Sequence, residues 1–428
     1  MSVTTVASSV RNQAESAKAA SRPLARLSST ARADALLALA ALIEGETGPV
    51  LEANAADIKA AKESGVDEYF IERLMLDEER LRGIAAEVRT VAALPDPVGE
   101  VFDSRTLPNG LLIGRRRVPL GVVACIYESR PNVTVDIASL SLKSGNACIL
   151  RGGKEAQRSN NALADLIGRA LAQTEVPVDA VQIIRDPDRA HVDELLAMND
   201  VIDLMVPRGG AGLLAHVREN AKMPVVAAGV AVVHVYVDEF ADLDMAEEIV
   251  HNSKMRRYSI CNALDTIILH ESVAGEMLAR LSRRWAGTVT LLGDERAMGI
   301  LASQPNSAIT AEPATPEDWH TELLSLRACV KVVDTLDEAL AHIESVDSGH
   351  SEAIVTESYS NGMRFMDEVD AAAVYVNAST QFTDGAQFGL GAEIGVSTQK
   401  MHARGPMGLK ELTSYKWTIF GRGQVRPE

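Results

Sequence analysis

The sequence predicts an α/β protein, and three observations predict it. Short apolar runs of strand length alternate with helical patterns from about residue 121 to residue 378. The chain is 46% hydrophobic but only 4% aromatic, with Ala, Val, Leu and Gly plentiful, a mix that suits helices packed closely on a parallel sheet. At 428 residues it is long enough for two or three domains with sizeable cores.

Residues 5–93 read as helices. In STARADALLALAALIEGE, Ser29 or Thr30 is the expected cap, and Leu36, Leu37, Ala40 and Ile43 recur at helical spacing. PVLEANAADIKAAKESG ends at Gly65, a plausible C-cap. Residues 95–120 hold two extended runs around Pro108-Asn109-Gly110, a hairpin signal and a natural oligomerisation arm. Then GVVACIYE (strand), PNVTVDIASLSLKSG (helix ending at Gly145), NACILRGG (strand), RSNNALADLIGRALAQT (helix), VQIIRD and IDLMVPRGG follow in series, with VVHVYVD expected to close the sheet. Such alternation over 121–236 is a nucleotide-binding layout. A second α/β unit near 237–378 contains TIILH, a helix around 273–285, TVTLLG, CVKVVD, a helix around 336–344, AIVTE and AAVYVN. The tail from Ser379 is glycine-rich to Gly408, and its SYKWTIFGRG reads as an exposed strand seeking a partner chain.

A formal net charge of −17 disfavours nucleic acid or an anionic membrane as partner, so any anionic substrate must be held by local cations. The N-terminus has no apolar core of signal-peptide type, and no apolar run reaches the roughly 18 residues of a membrane span. The four cysteines, Cys125, Cys148, Cys261 and Cys329, form no C-x-x-C, so a reducing cytoplasm is expected. The nine histidines form no close ligand pair, so no metal is expected, and the absence of G-x-S-x-G disfavours a serine hydrolase. The acidic run DEFADLDMAEE reads as a solvated helix face.

Three glycine clusters remain. GLGAEIG (389–395) has the wrong spacing and position for a pyrophosphate turn. RGGKEA (151–156) and PRGGAG (207–212) each run from a strand towards a helix, where backbone N–H groups attract anions, and each carries a basic residue. Cys261 is the candidate nucleophile. A cysteine is most often a small buried apolar residue, but Lys254, Arg256 and Arg257 lie within seven residues of this one, and cations favour thiolate over thiol.

The stretches YESRPNVTVDIASLSLKSGNACILRGGKEA (127–156), IDLMVPRGG (202–210), HVYVDEFADLD (234–244), CNALDT (261–266), VKVVDTLDEA (330–339) and FTDGAQFGLGAEIGVSTQKMHARGPMGLKELTSYKW (382–417) resemble the γ-glutamyl phosphate reductase family of the aldehyde dehydrogenase superfamily over almost the whole length. The resemblance implies an aldehyde dehydrogenase-like fold with a Rossmann-type cofactor domain with its N-terminal helices (1–98 and 119–236), a catalytic domain (237–378), and a small β element for closure and oligomerisation (99–118 and 379–428). It implies NADPH-dependent reduction of an acyl phosphate through a thioester on Cys261, in proline biosynthesis. The oxyanion would be held by the Cys261 N–H with the Asn262 side chain or a group from Ser129–Asn132. The matching cofactor residues are Arg151, Gly152, Gly153 and Lys154, near a ribose 2′-phosphate, then Arg208, Gly209 and Gly210 near the phosphates, and Glu322 at the nicotinamide ribose. The matching substrate residues are Asn132, Lys254, Arg257, Thr383, Asp384, His402 and Arg404. A homo-oligomer and association with glutamate 5-kinase are also implied.

Several positions depart from the family pattern. AAGVAVVH stands where E-T-G-V-G-N-C-H is usual, which changes Ala227, Ala228, Ala231, Val232 and Val233. Losing a carboxylate at Ala227 should weaken thioester hydrolysis without abolishing reduction. Gln381 stands for arginine in S-T-R-F-T-D-G, Gln387 for glutamate, and Arg256-Arg257-Tyr258 for Q-R-P. If the usual arginine binds a substrate anion, Gln381 removes a bond worth roughly 1.5–3 kcal/mol. Two alternatives therefore stand beside the reductase: a related enzyme for another acyl phosphate or aldehyde, and a catalytically weak homologue kept as a binding subunit.

Overall fold

The computed structural model describes residues 9–66, 68–226, 230–304 and 309–426. They divide into two compact units, Met1–Ala227 with Gly389–Gly395 and Met407–Glu428, and Ala228–Phe388 with Val396–Pro406.

The first unit begins with helices α1 (Ser9–Leu24), α2 (Ser29–Gly45), α3 (Thr47–Glu63), α4 (Glu68–Leu74) and α5 (Glu78–Ala93). The cap of α2 is Ser28, one residue earlier than expected; its Oγ accepts the Ala31 N–H at 3.0 Å. Leu36, Ala40 and Ile43 are buried, while Leu37 faces solvent because adjacent helical residues point in different directions. The terminator of α3 is as expected: Gly65 has φ +69°, its N–H donates to the Lys62 carbonyl and the Val66 N–H to that of Ala61, a Schellman motif.

β1 (Val101–Thr106) and β2 (Leu112–Pro119) form the antiparallel hairpin around Pro108-Asn109-Gly110, with Gly110 at φ +86°. Next come β3 (Val122–Tyr127), α6 (Asn132–Lys143), β4 (Ala147–Gly152), α7 (Gln157–Leu171), β5 (Val181–Ile183), α8 (Ala190–Leu196), β6 (Leu204–Arg208) and α9 (Ala211–Asn220). The four strands form a parallel sheet in the order β5-β4-β3-β6. Every residue of β3 is buried, which is why VVACIY is apolar without alternation. Helix α6 ends as α3 does: Gly145 has φ +78°, with Gly145 N–H to Leu142 and Asn146 N–H to Ser141.

The second unit contains β7 (His234–Val237), α10 (Leu243–Met255), β8 (Thr266–His270), α11 (Glu271–Arg284), β9 (Thr290–Gly293), α12 (Glu295–Ser303), β10 (Thr310–Pro313), β11 (Arg327–Val333), α13 (Leu336–Val346), β12 (Ser351–Val355), α14 (Tyr359–Glu368), β13 (Ala373–Val376), and the short pair β14 (Val396–Ser397) and β15 (Gly405–Pro406). Seven of the strands form a parallel sheet, β10-β9-β11-β8-β7-β12-β13. VVHVYVD does not close the first sheet: β7 lies between β8 and β12, with His234 opposite Thr266 and Glu352. Its apolar run suits either sheet, and on β12 the buried Glu352 bonds His234 Nδ1 at 2.8 Å. Asp242 caps α10 by accepting the Asp244 and Met245 N–H groups, so DEFADLDMAEE does enter a helix.

The last strand, β16 (Thr413–Phe420), belongs to the first unit and pairs antiparallel with β2 over its whole length, giving a sheet β1-β2-β16. SYKWTIF therefore finds a partner inside its own chain. Tyr415, Trp417, Ile419 and Phe420 stay exposed on it.

The two Schellman glycines allow a controlled comparison. A Cβ on Gly65 meets nothing within 4 Å, whereas one on Gly145 lies 2.8 Å from Arg32 Nη1 and from Pro119 Cγ. Gly65→Ala is expected to cost only the left-handed backbone conformation, about 1 kcal/mol. Gly145→Ala should cost about 1–3 kcal/mol more through overpacking, seen by calorimetry as a clearly larger drop in Tm.

Candidate active site

Cys261 lies between α10 and β8 in a segment without regular structure, and it is half-buried. The segment is shaped from both sides. The Leu264 N–H bonds the Ser253 carbonyl at 3.0 Å, and the Ala263 N–H bonds that of Ile260. Asn262, 4% exposed, donates from Nδ2 to the carbonyls of Gln381 (3.2 Å) and Thr383 (3.0 Å), and its own carbonyl accepts Thr380 Oγ1 at 2.8 Å. Both amide hydrogens are thereby committed to the backbone of residues 381–383. Asn262 thus holds the loop with the amide that was expected to serve as an oxyanion donor.

Lys254 is fully buried, and its Nζ donates to the Leu264 carbonyl at 2.9 Å, three residues beyond Cys261. Burial pulls the ammonium pKa down and that of Asp265 up, and each opposes the shift of the other. Asp265 accepts the Val233 and Leu323 N–H groups at 3.1 and 2.9 Å, so the pair joins three chain segments below the cysteine. The observed work of Lys254 is on this backbone. Arg256 and Arg257, by contrast, are exposed.

Thr383 is buried, with Oγ1 bonded to Ser351 Oγ (2.7 Å) and Tyr375 OH (2.8 Å); Ser351 Oγ meets His350 Nδ1 at 2.9 Å. Asp384 is half-buried and accepts the Ala386 and Gln387 N–H groups, an Asx turn that sets the loop beyond it. Arg404 is spent on Asp370, through Nη1 to Oδ1 at 2.6 Å and Nη2 to the carbonyl at 3.0 Å. His402 is exposed with φ +70°, and Glu322 is half-buried one residue before the Leu323 that Asp265 holds.

Of the departures, Ala231, Val232 and Val233 are almost wholly buried, so apolar side chains suit those positions. Ala227 and Ala228 lie outside the described residues. Gln381 is buried and fully used: Nε2 donates to the carbonyls of Ser253 (2.9 Å) and Arg257 (3.3 Å), and Oε1 accepts from Arg256 Nη1 (3.1 Å). Sequence reasoning missed this role, along with those of Asp265, His350, Ser351 and Tyr375. Asp265 stands inside the quoted CNALDT, where a polar residue opening an apolar strand was a usable signal.

In the first unit, the turns after β4 and β6 are built for close backbone approach. A Cβ on Gly152, Gly153 or Gly209 would overlap Asn160, Glu155 or Glu128 respectively. The Gly210 N–H, at the start of α9, donates to Glu128 Oε2 at 2.9 Å, and Glu155 Oε1 accepts the Ser129 N–H at 2.6 Å. A carboxylate thus already sits at the α9 N-terminus, as the chemistry of an anion cradle requires. Lys154 is exposed at the end of β4. Arg151 is buried and donates to the Pro187 carbonyl at 2.7 Å, which ties down the loop after β5. Arg208 packs its guanidinium on Gly395, in GLGAEIG, whose glycines all have positive φ and begin no helix. Asn132 donates to Asp136 at 2.9 Å, and burial raises the Asp136 carboxyl to about 7. Among the described residues, no group of three or more His, Cys, Asp or Glu is placed to hold a metal ion.

A half-buried cysteine in a loop pinned by a neighbouring amide, in a chain whose other unit carries strand-to-helix turns that hold carboxylates, defines an acyl-transferring oxidoreductase. The sequence profile described as the aldehyde dehydrogenase family matches residues 3–306 and 321–418. The chain belongs to the aldehyde dehydrogenase family, among its γ-glutamyl phosphate reductases. It is 54% identical over 418 residues to the γ-glutamyl phosphate reductase of Dehalococcoides mccartyi strain CBDB1, covering 97% of this chain and 98% of that one. Identity to the protein of that name from Moorella thermoacetica is 52% over 422 residues, with 98% and 99% covered. The crystal structure of γ-glutamyl phosphate reductase from Thermotoga maritima is similar with a TM-score of 0.94 and 43% identity, covering 98% of this chain and all of that one.

Burial lowers the His350 imidazole to about 4 from an ordinary value near 6.5. The unfolded chain therefore takes up this proton first, so the stability from the neutral ring is complete above about pH 6.5 and is lost as pH falls towards 4. The full swing is about 3 kcal/mol. Thermal melts at pH 7 and 4.5 should show a smaller acid loss in His350→Gln than in the wild type.

Proposed function

We propose that this chain reduces γ-glutamyl phosphate to glutamate 5-semialdehyde with NADPH, releasing phosphate, in the route to proline. The observation that carries the reading is the Cys261 loop, with its cysteine half-buried and two exposed arginines just before it. The names of the relatives support the substrate.

The Cys261 thiolate attacks the acyl carbon, a C–S bond forms, and the C–O bond to phosphate breaks with its electron pair leaving on the phosphate. The nicotinamide cofactor supplies the hydride that takes the resulting thioester to the aldehyde. The Cys261 N–H faces the oxyanion, and Asn262 keeps that N–H in place through the two carbonyls it holds. Arg257 offers a guanidinium to a substrate anion, and Asp384 keeps its Oδ2 for the substrate ammonium. His402 and Arg404 shape the approach.

In the first unit, the glycine turns at 151–154 and 208–210 suit the phosphates of a dinucleotide, and the Gly210 N–H already donates to the Glu128 carboxylate. Lys154 reads the ribose 2′-phosphate, Arg151 holds the loop beside it, and Glu322 takes the nicotinamide ribose. This favours NADP over NAD. The exposed Tyr415, Trp417, Ile419 and Phe420 on β16 support a homo-oligomer. The lability of an acyl phosphate in water favours a handover from glutamate 5-kinase in the cytoplasm.

The test is the reverse reaction, with the semialdehyde, phosphate and NADP, followed by NADPH absorbance. Phosphate-dependent turnover should appear in the wild type and fall at least about 10³-fold in Cys261→Ala; equal rates in the two would refute the nucleophile. Lys154→Ala should raise the KM for NADP several-fold and leave that for NAD nearly unchanged.

A further inference from the structure

Arg256 carries a cation for which the loop has one described use. Its guanidinium is exposed, only Nη1 is engaged, and no carboxylate among the described residues lies within ion-pair distance. In a chain of net charge −17, a guanidinium without a carboxylate in the nucleophile's own loop is open to an anionic ligand.

That single anchor is a built one. Gln381 is 3% exposed, and its Nε2 is fixed by the carbonyls of Ser253 and Arg257, so its Oε1 can point only one way, and it receives Arg256 Nη1 there at 3.1 Å. The Gln381 carbonyl in turn accepts from Asn262, next to Cys261. The buried amide thus couples the direction of an exposed guanidinium to the backbone that holds the nucleophile.

The two partners are also the two positions at which this sequence departs reciprocally from the pattern it otherwise follows. In the family pattern that the sequence resembles, glutamine stands at the position of Arg256 and arginine at that of Gln381. The structure shows that they touch. The substitution at 381 therefore does not delete the cation; it moves the cation to the other side of one hydrogen bond.

We propose that Arg256 binds an oxyanion of the substrate and that Gln381 is the positioning residue that aims it. The proposal deepens the reductase reading above and rests on it. The oxyanion is either phosphate or the α-carboxylate of the glutamyl chain, both of which call for a directed guanidinium.

The experiment compares the wild type with Arg256→Gln, Arg256→Lys, Gln381→Arg and the double variant R256Q/Q381R in the reverse reaction. KM is measured separately for phosphate and for the semialdehyde. Arg256→Gln should raise one of the two by about tenfold or more, with kcat within about threefold, and the substrate affected identifies the oxyanion. Arg256→Lys should recover only part, because an ammonium lacks the fork. Gln381→Arg sets two guanidiniums against each other and should be impaired, while the double variant should return to within about threefold of the wild type. Unchanged KM values in Arg256→Gln, or a double variant as poor as the product of its singles, would overturn the proposal while wild-type turnover still upholds the reductase. No wild-type turnover would overturn both. If Gln381→Arg fails to fold, the two Arg256 single variants decide alone, since that side chain is exposed.

Discussion

The carboxamide of Asn262 is the interaction on which the site depends. The cysteine loop has no helix or strand to define it, so its shape must come from side chains, and Asn262 supplies two donors to carbonyls about 120 residues further on. Each such buried bond is worth about 1 kcal/mol net, but the cost of breaking them is larger, because two carbonyls would be left unpaired in an interior position. Lys254, Asp265, Gln381 and Thr383 extend the same scheme. The first three use their buried side chains on backbone groups around the nucleophile, and Thr383 is held by Ser351 and Tyr375 while its carbonyl accepts from Asn262. The loop is rigid because polar groups with no access to water must all be satisfied at once.

Two residues expected at the substrate have protein partners in the structure. Lys254 and Thr383 were expected there because they match family motifs around the cysteine and in FTDG. The structure gives both of them committed partners. Arg256 and Arg257, alike in sequence, are the exposed ones.

The elements most legible in the sequence are those set by local chemistry. Gly65 and Gly145 end their helices because only glycine takes the left-handed conformation without strain, and that is a property of one residue. The Asn-Gly turn between β1 and β2 is of the same kind. Choices among distant partners were not legible. VVHVYVD is a buried strand in any sheet, and its membership of the second one follows from Glu352, more than a hundred residues later. SYKWTIF looked like an unpaired edge because its partner, β2, lies almost three hundred residues earlier. Gln381 looked like a loss because the hydrogen bond that gives it meaning reaches back to Arg256.

The pairing of β16 with β2 bears on how the chain is made. The first unit receives its last strand from Thr413–Phe420, and Asn146, at the end of α6, donates to the carbonyl of Leu412. Emerging from the ribosome, the N-terminal half must wait for the entire second unit to be synthesised before its hairpin gains a third strand and its Asn146 amide a full set of acceptors. Closing a loop of that length is costly in entropy and slow in time. During that interval the open side of β2 is exposed to other nascent chains, which makes translation speed and chaperone cover, more than final stability, the determinants of how much of this protein a cell obtains.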